Sequence, residues 1–346
     1  MITTAYEEIT DFQTIYETYE KCRKKKRPTY GQIRFEMDLS SELVKLQNSL
    51  KDHTYRMSNG RKFLIKEPKP RWITVLPFQD KIVQKLLSAN IFQPYLETHS
   101  IYDSAACQKG KGVTFAMSRL TKHLRNYYKE HGNKGYFLKA DIKNFYPSIT
   151  VQNVKDTWLP QIEDENLAKM IEQILDSHPK GVAMGNQLST IFAVFYLDPI
   201  DRFIKEEYRL KYYTRYVDDF ICIGETKQEL HNLLRLMQPI LQKLNLEFNE
   251  KKTMIIPMKN GVDYVGWHFY LYENGKVIRR LRRASKIKME RKLKDLTWKV
   301  QHGIISQRDW ILGTKGIDTH VQGKIRAEKC RKMTRTENSK QKGKKG

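Results

Sequence analysis

Apolar and polar positions alternate along this chain in two rhythms, one helical and one strand-like. Residues 5–22 are rich in Glu, Tyr and other helix-compatible residues and run into Arg23-Lys24-Lys25-Lys26-Arg27-Pro28, where the proline ends the helix. Residues 38–51 open on Asp38, Ser40 and Ser41 as caps and then place Leu43, Val44, Leu46 and Leu50 at helical spacing. Tyr55–Lys66 reads as β, broken by the hairpin signal Ser58-Asn59-Gly60, and after Pro68 and Pro70 a second short strand covers Arg71–Leu76. Helices are expected over 80–93 and 113–130, then a strand over Tyr136–Ile142 that is apolar up to Lys139 and ends on Asp141. A helix over 164–176 leads to a turn at Pro179-Lys180-Gly181, and Leu188–Tyr208 reads as a helix interrupted near Pro199. Residues 212–224, YYTRYVDDFICIG, alternate as two strands around an acidic turn. Leu230, Leu233, Leu234, Met237, Leu241 and Leu244 then mark an amphipathic helix that packs on the sheet. The centre thus reads strand, helix, hairpin, helix, strand: an α+β fold, an antiparallel sheet with helices on one side. No internal repeat is visible, and beyond Gly275 the chain reads as mostly basic and helical.

Size and charge narrow the partner class. At 346 residues the chain has room for two or three lobes. Its formal charge of +24, from 63 Lys+Arg against 39 Asp+Glu, points to a polyanion. Residues 276–346 hold 23 of the basic residues and 6 of the acidic ones, so the positive field is concentrated there. Such a segment can track a nucleic-acid backbone by releasing counterions. Cys22, Cys107, Cys222 and Cys330 form no CxxC pair, which argues against a zinc site or a disulfide framework. The acidic N-terminus lacks the pattern of a secretory signal, and the longest uncharged run, Gly181–Leu197, contains Asn186, Gln187, Ser189 and Thr190 and is a poor membrane span. A cytoplasmic protein with no membrane partner is the expectation.

The acidic turn carries the chemistry. Asp218 and Asp219 stand side by side among Tyr216, Val217, Phe220 and Ile221, an arrangement that repels itself and demands a cation. Phosphoryl transfer with two Mg²⁺ ions roughly 3.5–4 Å apart needs hard carboxylate ligands from separate strands. Asp141, at the end of its own strand, is the natural third ligand. Alternation sends Asp218 and Asp219 to opposite sides, so Asp218 is expected to be the stronger ligand.

An ordered series of blocks supports this. FLIKEPKPRWITVLPFQDKIVQ, SAACQKGKG, LKADIKNFYPSI, KGVAMGNQLST, RYVDDF, LNLEFNEKKT and YVGWHF together resemble the blocks of prokaryotic reverse transcriptases, over about residues 30–280. The nearest likeness is to the diversity-generating and defence-associated groups, which are related to group II intron and retron enzymes. The resemblance implies a right-hand polymerase. Residues 1–28 would be an N-terminal helix and basic patch, 29–135 fingers, and 136–275 palm with a helical insertion at about 151–180. Residues 276–332 would form a basic helical thumb and 333–346 a disordered basic tail. It implies that Asp141, Asp218 and Asp219 bind two Mg²⁺ ions, with Mn²⁺ as a substitute and the Ile142 carbonyl assisting. Lys66 and Arg71 would grip the incoming triphosphate. Tyr146 would press on a ribose 2′-hydroxyl and select deoxynucleotides. Gly185 would let the backbone approach the nascent pair, with Gln187 and Ser189 touching template or nucleotide. Lys252, or Lys251 beside it, would approach the triphosphate, and Gly266 and Trp267 would grip the primer end. The partners implied are an RNA template, a structured noncoding RNA above all, with nascent DNA and dNTPs; an accessory protein or a second copy of the chain could join them.

Two positions depart from the family pattern. Met184 stands where many relatives place a Gln whose amide contacts the new base pair, and an apolar side chain cannot hydrogen-bond there. The diversity-generating group has a similar replacement together with poor fidelity. Thr190 follows Ser189 where Gln or Pro is common. No endonuclease or RNase H constellation is left over. In 279–299, Arg279, Arg280, Arg282, Arg283, Lys286 and Lys288 would surround a helix whose Leu281, Ile287, Leu293 and Leu296 face inward, clamping a template–primer duplex by phosphate and A-like shape. Three functions are weighed: a reverse transcriptase copying a dedicated RNA in antiphage defence or a retroelement, a maturase-like RNA-binding scaffold, and a viral-type RNA-dependent RNA polymerase. The retained carboxylates disfavour the scaffold. Tyr146, and Val217 in place of Gly, disfavour the RNA polymerase.

Overall fold

The structure, a computed structural model, describes residues 1–24, 28–65, 70–177 and 187–314, the Arg71 side chain apart. It divides into two units, the larger running to Leu281 and the smaller beginning its main segment at Arg282.

The N-terminal region is helical. The expected helix over 5–22 is two, α1 (Tyr6–Thr10) and α2 (Phe12–Arg23), because the Asp11 side chain accepts from Thr14 N–H and starts a new helix. α3 (Tyr30–Met37), not foreseen, precedes α4 (Leu39–Lys51), which buries Leu43, Leu46 and Leu50 as its spacing requires.

The first hairpin corrects the sequence reading. Strands β1 (Arg61–Ile65) and β2 (Arg71–Val75) pair antiparallel with Ile65 opposite Arg71, so the chain reverses between those residues and not at Ser58-Asn59-Gly60. Ser58 N–H is instead held by the Asp80 carboxylate at 3.0 Å. Beyond it, α5 (Phe78–Leu87) continues through a π-helical turn at Ser88–Phe92 into α6 (Gln93–His99), and α7 (Val113–His131) follows.

The central sheet has the order β4-β5-β3-β6, every pair antiparallel: β3 is Tyr136–Ala140, β4 Tyr213–Tyr216, β5 Asp219–Gly224 and β6 Met254–Pro257. Between β3 and β4 run α8 (Phe145–Ser148), α9 (Val151–Trp158), α10 (Glu165–Asp176), α11 (Gln187–Tyr196) and α12 (Asp198–Arg202), the last two separated near Pro199 as expected. α13 (Lys227–Lys243) starts at Thr226, whose side chain accepts from Glu229 N–H at 3.1 Å, a cap worth about 1 kcal/mol. It buries Leu230, Leu233, Met237 and Leu241, each contributing about 1.5–3 kcal/mol.

The sheet is covered on both faces, where a single covered face was expected. Leu138, Ala140, Phe220 and Cys222 enter the main core with α11 and α13. Phe137, Ile221 and Ile223 enter a second core with Leu120 and Leu124 of α7 and with a second antiparallel sheet, β7 (Val262–Tyr264), β8 (Trp267–Leu271) and β9 (Val277–Leu281). Alternation along β3 and β5 divides the two sets. Arg279 and Arg280 therefore lie on a strand, where a helix was expected, because β9 pairs with the edge of β8.

The smaller unit is α14 (Arg283–Gln301) and α15 (Gln307–Thr314). α14 buries no residue: Ile287 is 39% exposed while Leu293 and Leu296 are half-buried, so the inward row expected of that helix forms only in part. No helix among the described residues is long and apolar enough to cross a membrane.

Candidate active site

The acidic turn is a two-residue hairpin. Tyr216 pairs with Asp219, leaving Val217 and Asp218 as the loop, and Val217 adopts φ +57. A β-branched residue in the left-handed region is strained, at a cost on the order of 1–3 kcal/mol. The next sheet repeats the device at Val265-Gly266, with Tyr264 paired to Trp267 and φ values of +42 and +89, the signs of a tight hairpin that favours glycine at its second place.

Asp141 directly follows β3. Since Ala140 pairs with Phe220, continuing that register sets Asp141 opposite Asp219, with Asp218 in the adjoining turn. The Asp141 backbone is fixed, its carbonyl accepting from Asn249 N–H at 2.8 Å. The sequence thus brings three carboxylates to one end of the sheet. They do not form a closed cage: among the described residues no three His, Cys, Asp or Glu side chains gather around one point.

Two lysines supply positive charge instead. Lys252 Nζ donates to both Asp141 oxygens, at 2.7 and 2.9 Å. Lys139 Nζ lies 3.4 Å from Asp219 Oδ1 and donates to the Asp263 carbonyl at 2.6 Å. Asp219 Oδ2 accepts from Val265 N–H at 3.5 Å, tying the acidic turn to the Gly266 turn. Asp219 Oδ1 is buried and has no close hydrogen-bond donor, the Lys139 ammonium standing at the longer 3.4 Å.

Burial pushes the Asp218 carboxyl above its ordinary value; Asp141 and Asp219 push the same way, and Lys252 opposes them. Burial also raises Asp219, against the pull of Lys139 and the Val265 N–H. Charge is therefore under-compensated here, and an oxygen-lined site of this kind suits a hard divalent cation such as Mg²⁺. The buried Asp219 Oδ1, met by Lys139 only at 3.4 Å, keeps acceptor capacity for such a cation.

The aromatic position lies beside the carboxylates. Tyr146, half-buried on α8, has its phenol raised by burial and by Asp218, while a hydrogen bond with Thr190 acts against them. Ile142 is 2% exposed with its side chain in the main core, which leaves only its backbone for a ligand. Gln187 begins α11, and its amide nitrogen donates to Ser88 Oγ at 2.7 Å, so that group is engaged in the core. Ser189 is 8% exposed on the same helix. Lys66, Met184 and Gly185 lie outside the described residues, as do the Arg71 side chain and the tail after Thr314. Arg282, Arg283, Lys286 and Lys288 are exposed at the start of the smaller unit, and Lys286 lies 3.8 Å from Glu290.

Sequence reasoning missed Lys139 and Arg215. Arg215 is buried with Asp201 and donates to the Val217 carbonyl at 2.9 Å. The available signal was a cation inside an otherwise apolar strand, which cannot stay buried without a carboxylate partner.

The profile of the family described as reverse transcriptase (RNA-dependent DNA polymerase) matches residues 64–269. No curated protein sequence matches the chain. Among solved structures, telomerase from Candida tropicalis in complex with a TWJ fragment of telomeric RNA is similar with a TM-score of 0.54 and 15% identity, over 84% of this chain and 58% of that one. Telomerase from Candida albicans, also with a TWJ fragment of telomeric RNA, gives 0.51 and 14%, over 72% and 52%. The chain spans little more than half the length of these two telomerase chains, and at such identities the likeness is one of fold.

Proposed function

The chain belongs to the reverse transcriptase (RNA-dependent DNA polymerase) family, and on that premise we propose that it copies a dedicated noncoding RNA into DNA by two-metal nucleotidyl transfer at Asp141, Asp218 and Asp219. The observation that carries this is the under-compensated acidic end of the sheet, where burial and mutual repulsion raise Asp218 and Asp219.

Asp141 and Asp218 would hold the ions, with Asp219 and the Ile142 carbonyl in support. Bound Mg²⁺ would make the primer 3′-hydroxyl a better nucleophile and stabilise charge on the departing pyrophosphate. The rest falls to the chain's own residues. Tyr146 excludes the ribose 2′-hydroxyl. Lys66 and Arg71 hold the triphosphate, a point charge and a planar fork on one polyanion. Lys252 turns from Asp141 to the phosphates as the nucleotide arrives. The Val265-Gly266 turn with Trp267 supports the primer end, and its link to Asp219 keeps primer and carboxylates in step. Arg279, Arg280, Arg282, Arg283, Lys286 and Lys288 neutralise duplex phosphates. The biological setting is antiphage defence or a retroelement.

The decisive experiment purifies the protein with its bound nucleic acid, sequences that RNA, and supplies dNTPs or rNTPs with Mg²⁺. Labelled DNA is expected from the wild type and none from Asp218→Ala; equal product from both sinks the proposal. RNA binding without synthesis would favour the scaffold.

Met184 favours a second reading, a mutagenic enzyme of the diversity-generating kind. On one template Met184→Gln should lower misincorporation. Unchanged error rates would rule this out.

A further inference from the structure

Arg215 is 1% exposed and lies two residues before the Val217-Asp218 loop. Its Nε donates to Asp201 Oδ1 at 2.7 Å, and Nη2 donates to Asp201 Oδ2 and to the Val194 carbonyl, the latter at 3.0 Å. Nη1 donates to the Val217 carbonyl at 2.9 Å. Asp201 is 0% exposed and also accepts from the Tyr213 hydroxyl at 2.6 Å. The Arg215 backbone is held as well, its N–H on the Asp103 carbonyl at 3.1 Å and its own carbonyl taking Ala105 N–H at 2.9 Å. One side chain therefore joins the acidic loop to the end of α11 and to α12.

Stability is a poor reason for this arrangement. A buried ion pair is costly to desolvate, and apolar residues of similar volume often serve the fold as well. What an apolar replacement would lose is the donor to Val217. That residue sits at φ +57, against the preference of its branched side chain. The orientation of its peptide sets the direction in which Asp218 leaves the loop.

We propose that Arg215 is a positioning residue for the Asp218 carboxylate: its guanidinium, anchored on Asp201, holds the Val217 carbonyl and locks the loop in the orientation that lets Asp218 and Asp141 share a cation. This rests on the reading of Asp218 as a metal ligand. The requirement is geometric. A planar fork can serve Asp201 and a carbonyl on the other side together, whereas an ammonium at the end of a flexible stem cannot.

Two variants separate positioning from folding. Arg215→Lys keeps the charge pair but loses the reach to Val217. The combination Asp201→Leu, Tyr213→Phe and Arg215→Met removes the pair and the phenol that donates to it, keeps the core filled, and leaves the Val217 carbonyl without its donor. Folding is checked by circular dichroism and thermal melting. Ion affinity is read as Mn²⁺ binding by paramagnetic resonance without nucleic acid, and as the Mg²⁺ midpoint of primer extension. Residues that orient metal ligands typically change affinity by roughly 10- to 100-fold, and a loss of that size is expected in each folded variant with KM for the primer–template unchanged. A folded variant with wild-type ion affinity overturns the proposal, whatever its melting temperature. If Asp218→Asn leaves Mn²⁺ binding intact, the metal-ligand reading itself falls. If Asp218→Asn abolishes binding while the Arg215 variants keep it, only the positioning role is lost.

Discussion

Lys252 grips the Asp141 carboxylate by both oxygens, its Nζ 2.7 Å from one and 2.9 Å from the other. A lysine from the loop before β6 thus supplies the cation that the carboxylate otherwise lacks. On the proposed reading a divalent ion would compete with the lysine for the same oxygens. The pair is part-exposed, and such contacts are worth about 0.2–1 kcal/mol. Lys252→Met should therefore tighten Mn²⁺ binding by up to about fivefold in the absence of nucleotide, by calorimetry, yet slow single-turnover incorporation. Weaker ion binding in the variant would contradict the competition.

Tyr146 contacts Thr190 and lies under the influence of Asp218, and as the proposed gate it would face the nucleotide sugar. Removing the ring should admit a 2′-hydroxyl. Discrimination of this kind is worth about 1–3 kcal/mol, so Tyr146→Ala should raise the efficiency of rNTP incorporation relative to dNTP about 10- to 200-fold. Unaltered selectivity would show that another group excludes the hydroxyl.

Asp103 sits 3% exposed between Arg119, His123 at 3.0 Å and Lys205 at 3.4 Å. Burial alone would raise its carboxyl, but hydrogen bonds from His123 and Arg119 overcome this and hold it down at about 2. A depressed carboxyl stabilises the fold above its unfolded value, near 4, and the contribution disappears as pH falls through about 2. About 2 kcal/mol should be lost over that window. Urea titrations between pH 5 and pH 2 should show this extra slope in the wild type and its absence in Asp103→Asn; parallel slopes would remove Asp103 from the account.

Lys286 and Lys288 stand exposed on α14, a helix with no buried residue. If both meet phosphates, the Lys286→Ala, Lys288→Ala variant should bind duplex with a log K against log[salt] slope shallower by about 1.5, since each contact contributes about 0.7–0.9. An unchanged slope, measured by fluorescence anisotropy at several salt concentrations, would place the duplex elsewhere.

Much of the site could be read without coordinates because it is built from local signals. Tyr216-Val217-Asp218-Asp219 sits between two alternating apolar runs, which defines a hairpin by itself, and Asp141 ends a strand whose apolar character is unbroken up to Lys139. Spacing likewise marked α4 and α13, whose buried leucines recur where one helical face requires, although Asp38, expected as a cap, makes no side-chain capping bond to α4. The misses have a common cause. The Ser58-Asn59-Gly60 signal suits a turn, yet the strand partner was chosen across Ile65 and Arg71; β7 is too short for its periodicity to stand out, and the adjacent Arg279 and Arg280 hide any alternation in β9.

Residue identity and local pattern were thus enough to read an α+β fold with an acidic turn and a further carboxylate at a strand end, while the resemblance of the ordered blocks implied the polymerase. Which cation meets which anion was decided only on folding: Lys252 on Asp141, Lys139 beside Asp219, and Arg215 on both Asp201 and the Val217 carbonyl. Lys252 and Asp141 are 111 residues apart, and Lys139 and Asp219 come from different strands. Local preference extends over a few residues of chain. Pairing between distant charges depends on sheet register and on the burial that makes an unpartnered charge too costly, and both arise only when the strands meet.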